Sequence, residues 1–236
     1  MDEIVDFIGA LFGHSFTKRM REVILSELKR VSSKAAFSSV DVANYAPEFL
    51  EIDRLFKQIF IEMDNTYLIS DLIRQIDSVL KVQKVHVAVF LSGSNDLTDD
   101  NKCPIQLAIN LFETGQYAIH GFDVKSVVFI QAIRRTKCRG MSPENFASRL
   151  NQFNKKLVEL CQDPDSCSRV IAVKGLWRNP DQSVMKVSDF AEDGIHPGSF
   201  PNKRGTDVDS DSFKKLKYTI KRSFSAGIGI WRARQR

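Results

Sequence analysis

Three short stretches carry the residue types that acyl transfer requires: Gly13-His14-Ser15, Gly93-Ser94-Asn95-Asp96 and Asp193-Gly194-Ile195-His196-Pro197. A serine hydroxyl is a weak nucleophile until a base takes its proton, and imidazole has a pKa suited to that task near neutrality. His14 adjoins Ser15, but neighbouring side chains leaving an extended strand point to opposite faces. His196 is therefore the better base, and Asp193, three residues earlier across Gly194, is placed to hold its ring in one tautomer. Asn95 offers an amide donor that, with the Ser15 N–H, suits a carbonyl oxygen turning negative. Each stretch also has a plainer reading. Ser15 alone is first of all a helix N-cap, Asp193–Pro197 a turn with a solvated histidine, and Gly93–Asp96 a loop whose Asn95 or Asp96 caps the next helix. Asp96, Asp99 and Asp100 read more readily as a solvated acidic loop than as a cation site.

The elements between these stretches decide whether they can meet. Ile4–Phe12 is rich in Val, Ile and Phe and stops at Gly13, as a buried parallel strand does. From Phe16 to Val31 the apolar residues recur at three and four, the pattern of an amphipathic helix. Residues 32–50 read as loop. Ile59–Met63, Val85–Leu91, Val124–Ile130 and Arg169–Val173 read as further strands, with helices over Tyr67–Leu80 and Pro104–Tyr117. Ser142-Pro143 is a helix start, followed by Phe146, Leu150, Phe153, Leu157 and Leu160 on one face. Residues 177–212 read as loop, and Phe213–Phe224 as a basic closing helix with a frayed tail. Alternation of strand and helix predicts an α/β fold with a parallel sheet covered on both faces. The three polar stretches then fall at the carboxyl ends of strands, where open α/β sheets bind ligands.

Composition bounds the rest. A chain of 236 residues with 43% apolar and 27% charged content suits one globular domain spanning 1–236. No apolar run approaches membrane-spanning length. Met1-Asp2-Glu3 is acidic where a secretion signal is basic, so the expectation is a cytoplasmic protein. Cys103, Cys138, Cys161 and Cys167 match no zinc or CxxC spacing and read as reduced structural thiols, and the four histidines show no metal-ligand pattern; neither a metal nor another cofactor is expected. From Lys203 to Arg236 ten Lys or Arg face three Asp, a local +7 that leaves −2 for the remainder. An anionic partner would meet the chain on that segment, about 210–236.

The order Gly-x-Ser after strand one, Gly-x-Asn-Asp after a middle strand and Asp-x-x-His-Pro near the C-terminus resembles the SGNH hydrolase superfamily, the GDSL esterases. The Val-Val-Phe-Ile-Gln strand at 127–131 and Asn154 on the next helix extend the likeness from Phe12 to about Phe224. The resemblance implies a three-layer α/β/α sandwich with a five-stranded parallel sheet of flavodoxin type, and serine hydrolysis of carboxylic esters without a metal. It makes Ser15 the nucleophile, His196 the base and Asp193 its partner. Ser15 and Asn95 become oxyanion donors, with Gly93 and His14 beside the substrate. Two positions depart from the family pattern. His14 stands where aspartate is usual, and after strand two the family's glycine is absent, so that within Met63-Asp64-Asn65-Thr66 the N–H of Asn65 or Thr66 takes its place.

Two rivals belong to other classes. A catalytically silent binding module of the same fold would contact nucleic acid through Lys214, Lys215, Lys217, Lys221, Arg222, Arg232, Arg234 and Arg236, with a steep salt dependence. A nucleotide- or flavin-binding doubly wound domain fits the alternation but lacks a GxGxxG or GxxxxGK phosphate loop.

Overall fold

The computed structural model describes residues 7–13, 56–62, 68–163, 168–174, 190, 193–195 and 211–235. Five strands form one parallel sheet: β1 (Phe7–Gly13), β2 (Phe56–Glu62), β3 (Val87–Leu91), β4 (Ser126–Ile130) and β5 (Val170–Val173), in the order β2-β1-β3-β4-β5. The described helices are α1 (Leu72–Leu80), α2 (Pro104–Phe122), α3 (Pro143–Gln162) and α4 (Asp211–Ala233). This is the doubly wound order with its switch point between β1 and β3.

The strands read as unbroken apolar runs because both faces are covered. Alternate residues go to opposite layers. Leu11, Val87, Val89, Val128 and Ile130 pack with Phe213, Leu216, Ile220, Phe224 and Ile228 of α4. Ala10, Phe12, Ala88, Phe90, Val127 and Phe129 pack with α1, α2 and α3 on the other side. The three-layer α/β/α sandwich follows directly from that alternation.

Several boundaries differ from the sequence reading, for local reasons. The 3-10 turn Ile69–Asp71 precedes α1, its Ile69 N–H donating to Asp96 Oδ2 at 3.1 Å. Helix α2 runs five residues past Tyr117, to Phe122, and stops only at Asp123, whose left-handed φ of 55° breaks the helix. Strand β2 begins three residues earlier than Ile59. The closing helix continues to Ala233 rather than fraying after Phe224. Gly227 in this added stretch serves a close approach to the sheet, where a Cβ would lie 2.4 Å from Val87 Cγ1. Trp231, one turn further on, packs edge-on against Phe7 with ring centroids 5.2 Å apart. Ser142 caps α3 as expected, accepting the Asn145 N–H at 3.1 Å.

Candidate active site

The site is built at the carboxyl edge of the sheet. Gly13, the last residue of β1, pairs with Leu91, the last of β3, so both strands release their chains at the same level. After Leu91, Gly93 adopts φ 102°, a conformation open to glycine at little cost. Its open side faces the Phe153 ring, 2.7 Å from where a Cβ would stand. The backbone there is tight on two counts. Asn95 then enters a 3-10 turn, Asp96–Thr98, and its carbonyl accepts from Thr98 N at 3.2 Å and Thr98 Oγ1 at 2.7 Å.

This loop is not the solvated acidic turn that its sequence suggests. Ser94, Asn95 and Asp96 are all buried. Asp96 Oδ1 accepts from Lys102 Nζ at 2.9 Å while Oδ2 holds the Ile69 N–H. Burial pushes the Asp96 carboxyl up, against the downward pull of Lys102 and of that N–H. Arg149, from α3, ties the loop down from behind: Nε donates to Leu97 O at 3.0 Å, and Nη2 donates to Asp99 O at 2.7 Å and Lys102 O at 2.6 Å. A cavity of about 710 Å³ opens beside Asp96, between the 69–71 turn and α2, lined by Ile69, Lys102, Cys103, Leu107 and Tyr117 among others.

The third stretch joins the second through the loop that follows β4. Ser94 Oγ accepts the Ile133 N–H at 3.2 Å, and Asn154 clamps Ala132 by accepting its N–H at 2.9 Å and donating to its carbonyl at 3.0 Å. Arg135 Nη2 then donates to Asn95 Oδ1 in a close contact. The next two residues hold the Asp193 turn: Thr136 N and Lys137 N donate to Gly194 O at 2.9 Å and 3.2 Å. Asp193 Oδ1 accepts the Ile195 N–H at 2.9 Å, and Gly194 has φ 63°, so the turn predicted around this glycine is present.

Arg135, in the stretch Arg134-Arg135-Thr136-Lys137, was missed in the sequence. Its guanidinium is 1% exposed and lies over the Phe146 ring, 6.0 Å from the centroid. Burial is the main influence on it and lowers its pKa to about 10, with nearby Asp193 and Asp96 favouring the charged form. It remains a cation at neutral pH. The one available signal was position, since these residues follow the carboxyl end of a buried strand. Arg149 left no comparable mark.

Of the residues singled out in the sequence, Gly93, Asn95 and Asp193 are described, and one loop brings the latter two stretches together. Ser15, His14, Asn65 and His196 lie outside the described residues, as does Cys167. No group of metal-ligating side chains occurs among the described residues. No described helix is long and apolar enough to cross a membrane.

No family model and no curated protein matches the chain. Solved structures do. An α/β hydrolase enzyme from the metagenome of Lake Arreo, Spain, is similar at TM-score 0.58 and 17% identity, over 95% of this chain and 96% of that one. A lipolytic protein of the G-D-S-L family from Desulfitobacterium hafniense is similar at TM-score 0.51 and 8% identity, over 91% and 99% of the two chains. The chain thus shares its three-layer α/β/α fold with these two structures, and the likeness covers nearly its whole length.

Proposed function

We propose that the chain is a serine hydrolase of carboxylic esters, with Ser15 as nucleophile, His196 as general base and Asp193 as its orienting partner. The observation that carries this reading is the convergence of the Asn95 loop and the Asp193 turn on the loop after β4, at the edge where β1 ends at Gly13. Ser15 is two residues beyond Gly13, within about 7 Å of chain, and His196 is adjacent to the 193–195 turn. The spacing of the motifs and the geometry of their described parts thus support the same edge.

In this reading Ser15 Oγ attacks the ester carbonyl carbon as its proton passes to His196. The carbonyl oxygen becomes an oxyanion held by the Ser15 N–H, the Asn95 amide and the N–H of Asn65. Collapse expels the alcohol, which takes the proton from His196 and leaves Ser15 acylated. Water, deprotonated by the same imidazole, then releases the acid. Gly93 and His14 border the acyl group. Reaction with a fluorophosphonate probe and mapping of the adduct tests this: labelling at Ser15, with Ser15→Ala abolishing hydrolysis of a short p-nitrophenyl ester, supports the triad. Unchanged hydrolysis in Ser15→Ala removes it.

A second reading, a binding module that contacts nucleic acid, is favoured by one observation. Lys214, Tyr218, Arg222 and Arg232 lie exposed on α4, and no acidic residue follows Asp211 in the chain. A basic stripe with an exposed aromatic suits a phosphate backbone and a stacked base. Filter binding of a single-stranded oligonucleotide at low and moderate salt tests it, since phosphate contacts weaken steeply as salt rises. Absence of salt-sensitive binding would remove it.

A further inference from the structure

We infer that Arg135 is the positioning residue of the oxyanion donor: its guanidinium fixes the amide orientation of Asn95 and ties it to the turn that carries Asp193. The inference rests on the esterase reading above.

An asparagine amide has an acceptor end and a donor end, and their order is decided by its hydrogen-bond partners. Arg135 is a donor at every nitrogen, so the end of Asn95 facing it is Oδ1. The Nδ2 end consequently faces away from the guanidinium. Only that end can hydrogen-bond an oxyanion, and a flipped amide would present a repelling oxygen instead. Arg135 removes the wrong orientation.

A buried guanidinium is a costly way to hold one amide unless its charge is also used. Arg135 is fully buried, yet Nε and Nη1 find no hydrogen-bond partner among the described residues. An apolar side chain on Phe146 would pack with less penalty. A fixed cation behind Asn95 polarises the amide and lies near the place where negative charge develops, in surroundings that screen it poorly. Thr136 and Lys137 grip Gly194 from the same three-residue segment, so a displacement of Arg135 is transmitted to the Asp193 turn as well.

The test uses the full chain and p-nitrophenyl acetate, with Arg135→Met, Arg135→Gln, Asn95→Ala and the Arg135→Met/Asn95→Ala double variant, each checked for folding by thermal melting. If Arg135 acts through Asn95, either Arg135 variant loses about 10²-fold or more in kcat, as for loss of one oxyanion donor, while KM changes less than threefold. The double variant is then no slower than Asn95→Ala alone. A kcat within threefold of wild type in either folded Arg135 variant overturns the inference, and so do losses that multiply in the double variant. Should Arg135→Met not fold, Arg135→Gln and its own cycle with Asn95→Ala decide by the same criteria. A wild-type chain that neither hydrolyses the ester nor labels with a fluorophosphonate overturns the esterase reading itself, and the role of Arg135 with it.

Discussion

Thr136 holds the carbonyl of Gly194 twice, through its N at 2.9 Å and its Oγ1 at 3.1 Å, and the neighbouring Lys137 N adds a third hydrogen bond at 3.2 Å. This contact spans 58 residues of sequence and ties the turn that contains Asp193 to the loop that carries Arg135. Gly194 has no room to change. A Cβ would lie 2.5 Å from Thr136 Oγ1 and 2.6 Å from Lys137 Cγ, and its φ of 63° is strained for any other residue. Gly194→Ala is expected to cost about 1–2 kcal/mol from backbone strain and to shift the turn. Steady-state ester kinetics should show kcat/KM down by at least about tenfold, since small misplacements at a reacting centre are expensive. Normal kinetics in a destabilised variant would separate this turn from the chemistry.

Two glycines of α4 should respond oppositely to the same substitution. Gly227 faces the sheet, with Val87 Cγ1 2.4 Å, Ser126 Oγ 3.1 Å and Val128 Cγ2 3.3 Å from a Cβ placed there. Gly229 has nothing within 4 Å. Gly227→Ala forces helix and sheet apart and is expected to destabilise by roughly 1–3 kcal/mol. Gly229→Ala removes backbone freedom from a helix interior and should stabilise by up to about 1 kcal/mol. Urea midpoints for the two variants check this, and equal shifts would place neither glycine against the sheet.

These glycines also show what a single chain can and cannot disclose. The strands and the α/β/α layering were legible because unbroken apolar runs and apolar residues recurring at three and four both come from burial, which acts residue by residue along the chain. The Gly93–Asp96 and Asp193–Ile195 turns were legible too, because glycine at a positive φ leaves a mark in the sequence. The role of Gly227 was not legible, because a glycine needed for a close approach is indistinguishable in one sequence from one that ends a helix. Arg135 was passed over and Asp96 misread for a related reason. A charged residue in a loop reads as solvated, and only the fold brings Phe146 and Asn95 to the first and Lys102 and Ile69 to the second. The reading of Ser15 and His196 came from motif order, and neither lies among the described residues.

The thiols should separate by burial. Cys103 is exposed, Cys138 is buried, and the thiol of Cys161 is pushed up to about 12 by burial. Burial also raises Cys138, against the pull of Arg135 and Arg134. Alkylation requires the thiolate. With iodoacetamide at pH 8, peptide mapping should find Cys103 modified before Cys138 and Cys161, which react at an appreciable rate only after denaturation. Early labelling of Cys161 in the native protein would contradict the packing of α3 against the sheet.

At the opposite edge of the sheet, His86 gives the fold a pH dependence of its own. Its N–H donates to Ile8 O at 2.8 Å, and its Nδ1 accepts the Ile8 N–H at 3.1 Å, so the ring must be unprotonated at that nitrogen. Burial lowers its pKa, Lys84 and Lys125 lower it further, and Asp123 opposes them. In the unfolded chain the ring titrates near about 6.5. Between that value and the lower native one, the unfolded state binds a proton that the native state refuses, so stability grows with pH there. The contribution of His86 is complete above about pH 6.5 and is lost as pH falls through the native value. For one group the slope is at most about 1.4 kcal/mol per pH unit, and less for a ring only partly buried. His86→Gln keeps an acceptor for Ile8 without titrating. Urea midpoints at pH 7.5 and pH 5.0 should fall further in the wild type than in His86→Gln, with carboxylate effects common to both. An equal fall would mean that this ring does not couple β1 to β3 through its protonation state.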